Sequence, residues 1–396
     1  MNRIKTAPEF DPAFPVRYRY RTVFTEHLFR QSNPLFRDLL AGEAHEAEVK
    51  VFILIEESVL HHFPELGGEI RTYCSTLPGN ITAAAPLPLS VRGTEECKTL
   101  ETAEKLCDCF LKAGLCRQSF LVIIGGGALL DAAGFAASIF HRGVRQIRVP
   151  TTALSQCDSG VGVKNAVNAF GKKNLLGVFA PPSAVLCDSA FLHTLPRAAF
   201  SSAAAEAVKV ATIKDAEFFH FLEDNAQEIM ERKSASPATL EMIRRSAGIH
   251  IRHIATSGDP FEYGSARPLD FGHWAAHKIE MLSGGRIGHG EAVGMGLLID
   301  TLYAQMKGIA PASVFESLRK LLEAFHLPFH TEVLEMRSSS GGRAVLEGIE
   351  EFREHLGGLL HITLPTALGS KTEVHELDPL LLEKAIAELI RLKSQK

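Results

Sequence analysis

The chain has 396 residues, room for about two domains that each bury a core. Hydrophobic residues make up 46% and charged residues 22%, a globular balance that excludes a disordered chain. Net charge is -4 with no long basic run, so neither a nucleic-acid groove nor a membrane partner is expected, and no apolar run approaches the roughly 18 residues of a transmembrane helix.

The first twenty residues lack the apolar core of a signal peptide. Seven cysteines are scattered without paired spacing, and Cys107 and Cys109, two apart, fit neither a zinc knuckle nor a redox pair. The expectation is free thiols in a reducing cytoplasm.

Residues 16–24 (VRYRYRTVF) alternate polar and apolar, the pattern of a half-buried strand. Residues 49–55 form an apolar run that reads as a buried strand and ends on Glu56 and Glu57. An acidic residue at that end of an early strand is where dinucleotide folds hold ribose hydroxyls. A solvated strand end is the simpler reading of Glu56 taken alone.

A third strand, 119–124, runs into Gly125, Gly126 and Gly127 and then a helix reaching about residue 141. Glycines let a backbone approach a pyrophosphate, and the helix N-terminus favours its charge. The triplet is not GxGxxG, so a plain glycine turn competes with that reading. A strand over 146–149 ends at Pro150, Thr151 and Thr152, whose hydroxyls would face the same crevice. Alternating strands and helices predict an open, mainly parallel sheet with ligands at the carboxyl ends of its strands.

Residues 155–182 read as a long polar loop carrying Asp158, Lys164, Asn165, Asn168, Lys172, Lys173 and Asn174. Lysines among asparagines and glycines suit a phosphate. After Leu195 and Pro196 helical periodicity takes over, through 198–231, 237–255, 291–308, 311–326 and 378–393. The expected division is an α/β domain over 1–189 and a helical domain over 190–396. Glu206 and Lys209, three apart on one helix, face one cavity or form a surface ion pair.

The stretch 270–295, DFGHWAAHKIEMLSGGRIGHGEAVGM, holds three histidines close to helix ends. His273 and His277 share a helix face, Gly284 and Gly285 stop that helix, and His289 opens the next run. Three imidazoles suit a divalent metal. Ordinary polar positions on two helices are the competing reading, and spacing alone leaves the two about even.

Five motifs together carry a resemblance. GGGALLDAAGFAAS, PTTALSQCDSGVGVKNAVNAFGKKN, AEAVK, FGHWAAHKIE and GHGEAVGMG occur in the order seen in the dehydroquinate synthase family, the NAD-dependent sugar phosphate cyclases, across about residues 49–395. The stretch GDPFEYGSARPLDFGHW is similar to the cyclase-like group of the bacterial ebo gene cluster, related to the 2-epi-5-epi-valiolone synthases. The resemblance implies a Rossmann-like parallel-sheet domain followed by an all-helical metal-binding domain, acting as a homodimer.

It also implies site residues. Zinc, or another divalent ion such as cobalt, would be held by Glu206, His273 and His289, with His277 serving substrate or proton transfer. NAD would lie over Gly125, Gly126 and Gly127, with Asp131, Thr151 and Thr152 nearby and Glu56, Glu95 and Lys98 towards its ribose end. Asp158, Lys164, Asn174, Lys209, Glu262 and Arg267 match substrate-contacting positions. The implied reaction is oxidation, phosphate elimination, reduction, ring opening and an intramolecular aldol closure.

The departures bear on substrate. Asp270 stands where the synthases carry asparagine, Arg267 lies one position closer to the first zinc histidine, and Arg252 replaces a lysine. The Asp-Lys-Lys element is missing, and EFREHLGG stands at 351–358 instead. A sugar 7-phosphate such as sedoheptulose 7-phosphate, giving a cyclitol ketone, is therefore expected over the keto-acid phosphate of 3-dehydroquinate synthase proper. A metal-dependent NAD alcohol dehydrogenase and a non-catalytic binding protein also compete with that expectation.

Overall fold

The computed structural model describes residues 10–43, 48–262, 268–339, 341–355 and 357–394. The apolar runs become strands joined by helices: β1 (Arg21–Thr25), α1 (Leu35–Glu43), β2 (Val49–Glu56), α2 (Glu57–His62), α3 (Leu66–Cys74), β3 (Ile81–Ala83) and β4 (Leu89–Val91). Then come α4 (Leu100–Lys112), β5 (Phe120–Gly125), α5 (Gly127–Ile139), β6 (Arg145–Pro150) and α6 (Ala153–Cys157). A hairpin of β7 (Lys164–Ala169) and β8 (Lys172–Phe179) precedes β9 (Ala184–Asp188).

Seven strands make one sheet in the order β1-β9-β6-β5-β2-β3, with β4 pairing β2 beyond β3. Every pairing in it is parallel. Parallel sheets are covered on both faces, so their strands are apolar throughout rather than alternating. Val51, Ile53, Ile55, Val122 and Ile124 pack on one side with α1 and α3, while Phe52, Leu54, Leu121 and Ile123 pack on the other with α4 and α5. Each such side chain contributes roughly 1.5–3 kcal/mol by leaving water. From β2 the chain moves outward to β3 and β4, then returns to the other side of β2 as β5. The order reverses there, which opens a crevice at the carboxyl ends of β2 and β5.

The helical half comprises α7 (Arg197–Lys214), α8 (Ala216–Arg232), α9 (Pro237–Thr256), α10 (His273–Leu282), α11 (His289–Met306), α12 (Ala312–Ala324), α13 (Thr331–Glu335) and α14 (Glu347–His355). A second hairpin, β10 (Ile362–Ala367) with β11 (Ser370–Val374), and α15 (Pro379–Ser394) complete it. Helix α7 is buried almost throughout and packs against α8, α9 and α11. Ala153 and Cys157 of α6 join the same core, so the two halves share packing at the base of α7.

Three local expectations change. Strand β1 begins only at Arg21, where it finds β9 as partner, and Val16 and Tyr18 before it are exposed. Alternation without a neighbouring strand does not make a ladder. The supposed loop 155–182 is largely ordered: α6 ends it at one side, and β7 and β8 pair antiparallel. Asn165 and Val167, alternate residues of β7, are buried, which is a strand's period carried by a polar residue. The helix over 198–231 is two helices, because the Asp215 carboxylate accepts the Phe218 N–H at 2.8 Å and caps α8. The β10–β11 hairpin is an addition to the helical half that periodicity did not signal. Among the described residues no helix is long and apolar enough to cross a membrane.

Candidate metal and dinucleotide site

Helices α10 and α11 meet backbone to backbone. A Cβ on Gly296 would lie 2.0 Å from the Gly272 carbonyl oxygen, and one on Gly272 would lie 2.8 Å from the Leu297 nitrogen. Gly272 also has φ +78, the left-handed region that favours glycine. Asp300, buried in α11, accepts the Gly272 N–H at 2.9 Å and the Trp274 indole N–H at 2.8 Å. Two bonds flanking His273 thus fix the first turn of α10 against α11.

This contact brings His273 beside His289 at the start of α11, with ring centroids 5.7 Å apart. Glu206, fully buried on α7, completes the group: its Oε1 is 3.2 Å from His289 Nε2 and 3.7 Å from His273 Nε2. The ligand atoms of the three residues lie within 4.8 Å of one another. A carboxylate with two imidazoles, convergent and buried except for half-buried His289, fits a divalent cation of the zinc or cobalt kind. His273 Nδ1 is 3.1 Å from the Phe271 carbonyl, which leaves Nε2 facing Glu206.

The electrostatics are sharply divided. Burial pushes the His273 imidazole down to about 4 and His277 down to about 3, so both are neutral at pH 7. Burial also disfavours charge on His289, but contacts with Glu206 and Glu280 raise it to about 10. Metal binding would displace that proton. Lys209, one turn from Glu206, is buried with Nζ 2.5 Å from Glu206 Oε2. Burial opposes its charge, yet Glu206 and Asp158 hold it above the usual lysine range. Asp158 lies 2.9 Å from His250 of α9. Burial would raise its carboxyl, but Lys209 and His250 prevail and hold it well below the usual carboxylate range.

The second cluster lies at the switch-point crevice. Glu56 ends β2, and its Oε2 accepts the Gly126 N–H at 2.8 Å across the gap to β5. A Cβ on Gly125 would meet Leu129 at 2.8 Å, and one on Gly127 would meet Ser159 at 2.9 Å, so backbone alone fits the turn. Such a glycine turn at a helix N-terminus suits the backbone approach that a pyrophosphate needs. Thr151 N–H donates to the Gly125 carbonyl at 3.0 Å, and Thr152 caps α6. Lys98 Nζ bonds Asp131 at 2.7 Å and also bonds Asn174. Glu95 accepts from Asn168 at 2.8 Å, and Asn168 in turn accepts the Asn174 N–H at 2.9 Å. Asn174, expected at the substrate, is thus joined to residues expected at the cofactor.

Lys164 on β7 pairs with buried Glu262 at 2.5 Å. Asp270 is half-buried, and its charge acts on both Lys209 and His277. Arg252 lines a cleft of about 490 Å3 with Lys214, His253, Thr256 and Lys371, and none of the three metal-binding candidates lines it. Arg267 lies outside the described residues. Sequence reasoning missed His250, Glu280 and Asp300. Glu280 follows His273 and His277 at helical spacing, and Asp300 is a charge set inside the apolar run of α11; both were readable signals.

A parallel-sheet domain joined to a helical one, with a buried carboxylate and two imidazoles gathered from three helices, is the build of an enzyme. The family models for the 3-dehydroquinate synthase N-terminal and C-terminal regions match residues 88–202 and 203–342. The chain belongs to the 3-dehydroquinate synthase family, the sugar phosphate cyclases. It is 30% identical to 2-epi-5-epi-valiolone synthase of Streptomyces glaucescens over 380 residues, 96% of this chain and 93% of that one. It is 36% identical to 3-dehydroquinate synthase of Desulforamulus reducens over 276 residues, 69% and 74% of the two chains. The structure of 2-epi-5-epi-valiolone synthase from Streptomyces hygroscopicus subsp. jinggangensis 5008, with NAD+ and Zn2+ bound, superposes with a TM-score of 0.84 at 25% identity. That match covers 98% of this chain and 100% of the other.

Proposed function

We propose that the protein converts a sugar 7-phosphate such as sedoheptulose 7-phosphate to a cyclitol ketone and inorganic phosphate, using NAD and a divalent metal. The observation that carries this reading is Lys209, a buried cation 2.5 Å from one oxygen of Glu206, whose other oxygen faces two imidazoles. Such a fixed charge suits a negative charge that develops on substrate oxygen.

Glu206, His273 and His289 hold the metal, and Glu56, Gly125, Gly126, Gly127, Asp131, Thr151 and Thr152 line the cofactor crevice with Lys98 and Glu95 at its rim. When bound, NAD supplies reversible oxidation of a substrate carbon, and the cation supplies a Lewis acid for adjacent hydroxyls. Lys164 and Asn174 take the phosphate, with Glu262 as the resting partner of Lys164. His277, neutral at pH 7, exchanges a proton with substrate. Asp158 keeps Lys209 charged, and Arg252 and Arg267 enter this reading as substrate contacts on the family resemblance alone.

Asp270 sets the substrate class. An ionised carboxylate accepts hydrogen bonds and repels another carboxylate, so it favours a hydroxyl-bearing end over a keto acid. The likeness to 2-epi-5-epi-valiolone synthase over nearly the whole chain supports the same choice. The protein works as a cytoplasmic homodimer, its cofactor domain ending near residue 189.

Phosphate release from a heptulose 7-phosphate and from the seven-carbon keto-acid phosphate tests the proposal. Release from the heptulose phosphate without net NADH is expected. Turnover of the keto acid alone would make the protein a 3-dehydroquinate synthase, and net NADH without phosphate would make it a dehydrogenase. Absence of both NAD and metal binding would leave a non-catalytic protein.

A further inference from the structure

A second gathering of metal-type ligands lies on the β10–β11 hairpin, and the register of that hairpin creates it. Ile362 pairs with Val374, so the next positions outward, His361 and His375, stand directly opposite each other. Glu373 precedes His375 by two residues and therefore points to the same face. The imidazole rings are 4.8 Å apart and nearly perpendicular. Glu373 Oε1 is shared between them, 3.0 Å from His361 Nδ1 and 3.9 Å from His375 Nε2. The three ligand atoms lie within 4.8 Å of one another.

We infer that His361, Glu373 and His375 form a second divalent-cation site, separate from the one at Glu206 and selective for borderline ions such as zinc. Four tetrahedral ligands at zinc's bond lengths stand about 3.3 Å apart, so the two observed separations bracket what a bound ion needs. A second observation points the same way. The Nδ1 of His375 lies 2.9 Å from the Leu360 carbonyl, a bond in which only the protonated nitrogen can donate. That fixes the tautomer and turns the Nε2 lone pair towards Glu373, as the outer nitrogen of a metal-bound histidine is fixed in known sites. The His375 side chain is 59% exposed, while His361 and Glu373 are 12% and 21% exposed. The ion would therefore have two sheltered ligands, one open side and room for water.

The consequence is mechanical. Strand β10 packs against α7 and α11, and β11 carries Lys371 into the cleft shared with Lys214, Arg252 and His253. An ion across the open end of the hairpin would fix both strands where they leave the sheet, at the end opposite the turn beside Lys371.

The test counts metal on the full-length protein. Chelator-stripped protein is loaded with zinc, dialysed, and its metal content measured beside His375→Ala and His361→Gln. Wild type should hold about one equivalent more than either variant, whatever the occupancy of the Glu206 site. Cobalt loading should show the same difference in visible absorption. His375 is mostly exposed, so its alanine variant keeps the packing, and circular dichroism checks the fold of both. Equal metal content in wild type and both folded variants would overturn the site, with no bearing on whether the Glu206 site binds metal.

Discussion

The Nδ1 of His289 lies 3.3 Å from Oε2 of Glu280, and the other oxygen of that carboxylate is 3.0 Å from Lys173. Burial alone would raise the Glu280 carboxyl, but these two partners hold it down at about 2. A carboxylate behind a metal-facing imidazole sets its orientation and basicity. Replacing Glu280 by glutamine should weaken zinc binding at the Glu206 site about 10- to 100-fold. Competition against a chelating dye measures it, and undiminished affinity would tell against the assignment.

The Gly272–Gly296 contact leaves no room for a methyl group. Gly296→Ala should lower stability by about 1–3 kcal/mol, as overpacking does, and should loosen metal binding by moving His273 from Glu206. Gly294→Ala is the control, because a Cβ there meets nothing closer than 3.6 Å. Urea denaturation of both variants decides; equal losses would show that the close approach is not what matters.

NAD should raise the melting temperature, since it binds only the folded protein. Gly126→Val should abolish that rise. A Cβ at Gly126 meets only Thr152 at 3.4 Å and Glu56 at 3.6 Å, so the first carbon fits at ordinary contact distance while the valine methyls take space from the crevice, and circular dichroism checks the fold. A rise of the same size in the variant would move the cofactor elsewhere.

Asp270→Asn restores the amide of the synthases. Activity on the keto-acid phosphate should rise severalfold, on the order of the tenfold that 1.4 kcal/mol represents. Activity on the heptulose phosphate should fall. Kinetics on both substrates give the ratio, and an unchanged ratio would remove Asp270 from specificity.

His253 supplies a pH signature. Burial and the charge of Lys214, 3.4 Å away, push its imidazole down to about 4. The unfolded chain, near 6.5, binds the proton more readily, so stability is lost as pH falls from about 6.5 to 4. His253→Gln should remove about 1–2 kcal/mol of that loss, read as the wild-type-minus-variant difference in urea stability between pH 7 and pH 5. A pH-independent difference would mean that His253 does not enter the unfolding balance.

How much was legible depended on whether a signal was local. The apolar runs ending at Glu56 and Gly125 disclosed the sheet because burial on both faces leaves few polar positions, Lys50 near the start of β2 being the exception. The pairing of His273 with His277 was visible as helical spacing, with rings 5.4 Å apart. Glu206 was not visible from spacing, since it comes from a helix 67 positions earlier and depends on how α7, α10 and α11 pack. Only the family motifs pointed to it. The β7–β8 hairpin was misread because asparagine and lysine masked its alternation, although buried Asn165 finds Arg148 at 2.7 Å. Glu280 escaped notice because an acid in an amphipathic helix looks solvated until Lys173 arrives from the other half of the chain.

That arrival couples the site to the solution around it. The halves share apolar packing where Ala153 and Cys157 meet α7, while farther out Lys173 reaches from β8 to Glu280 on α10. The first of these attachments is indifferent to dissolved ions; the second is a partly exposed charge pair, which mobile ions weaken. The cleft is thus riveted at one end and latched at the other, and the latch rests on the same carboxylate that steadies His289. Ionic strength would therefore control how firmly a metal held at Glu206 is gripped, acting from a lysine outside the proposed ligand set.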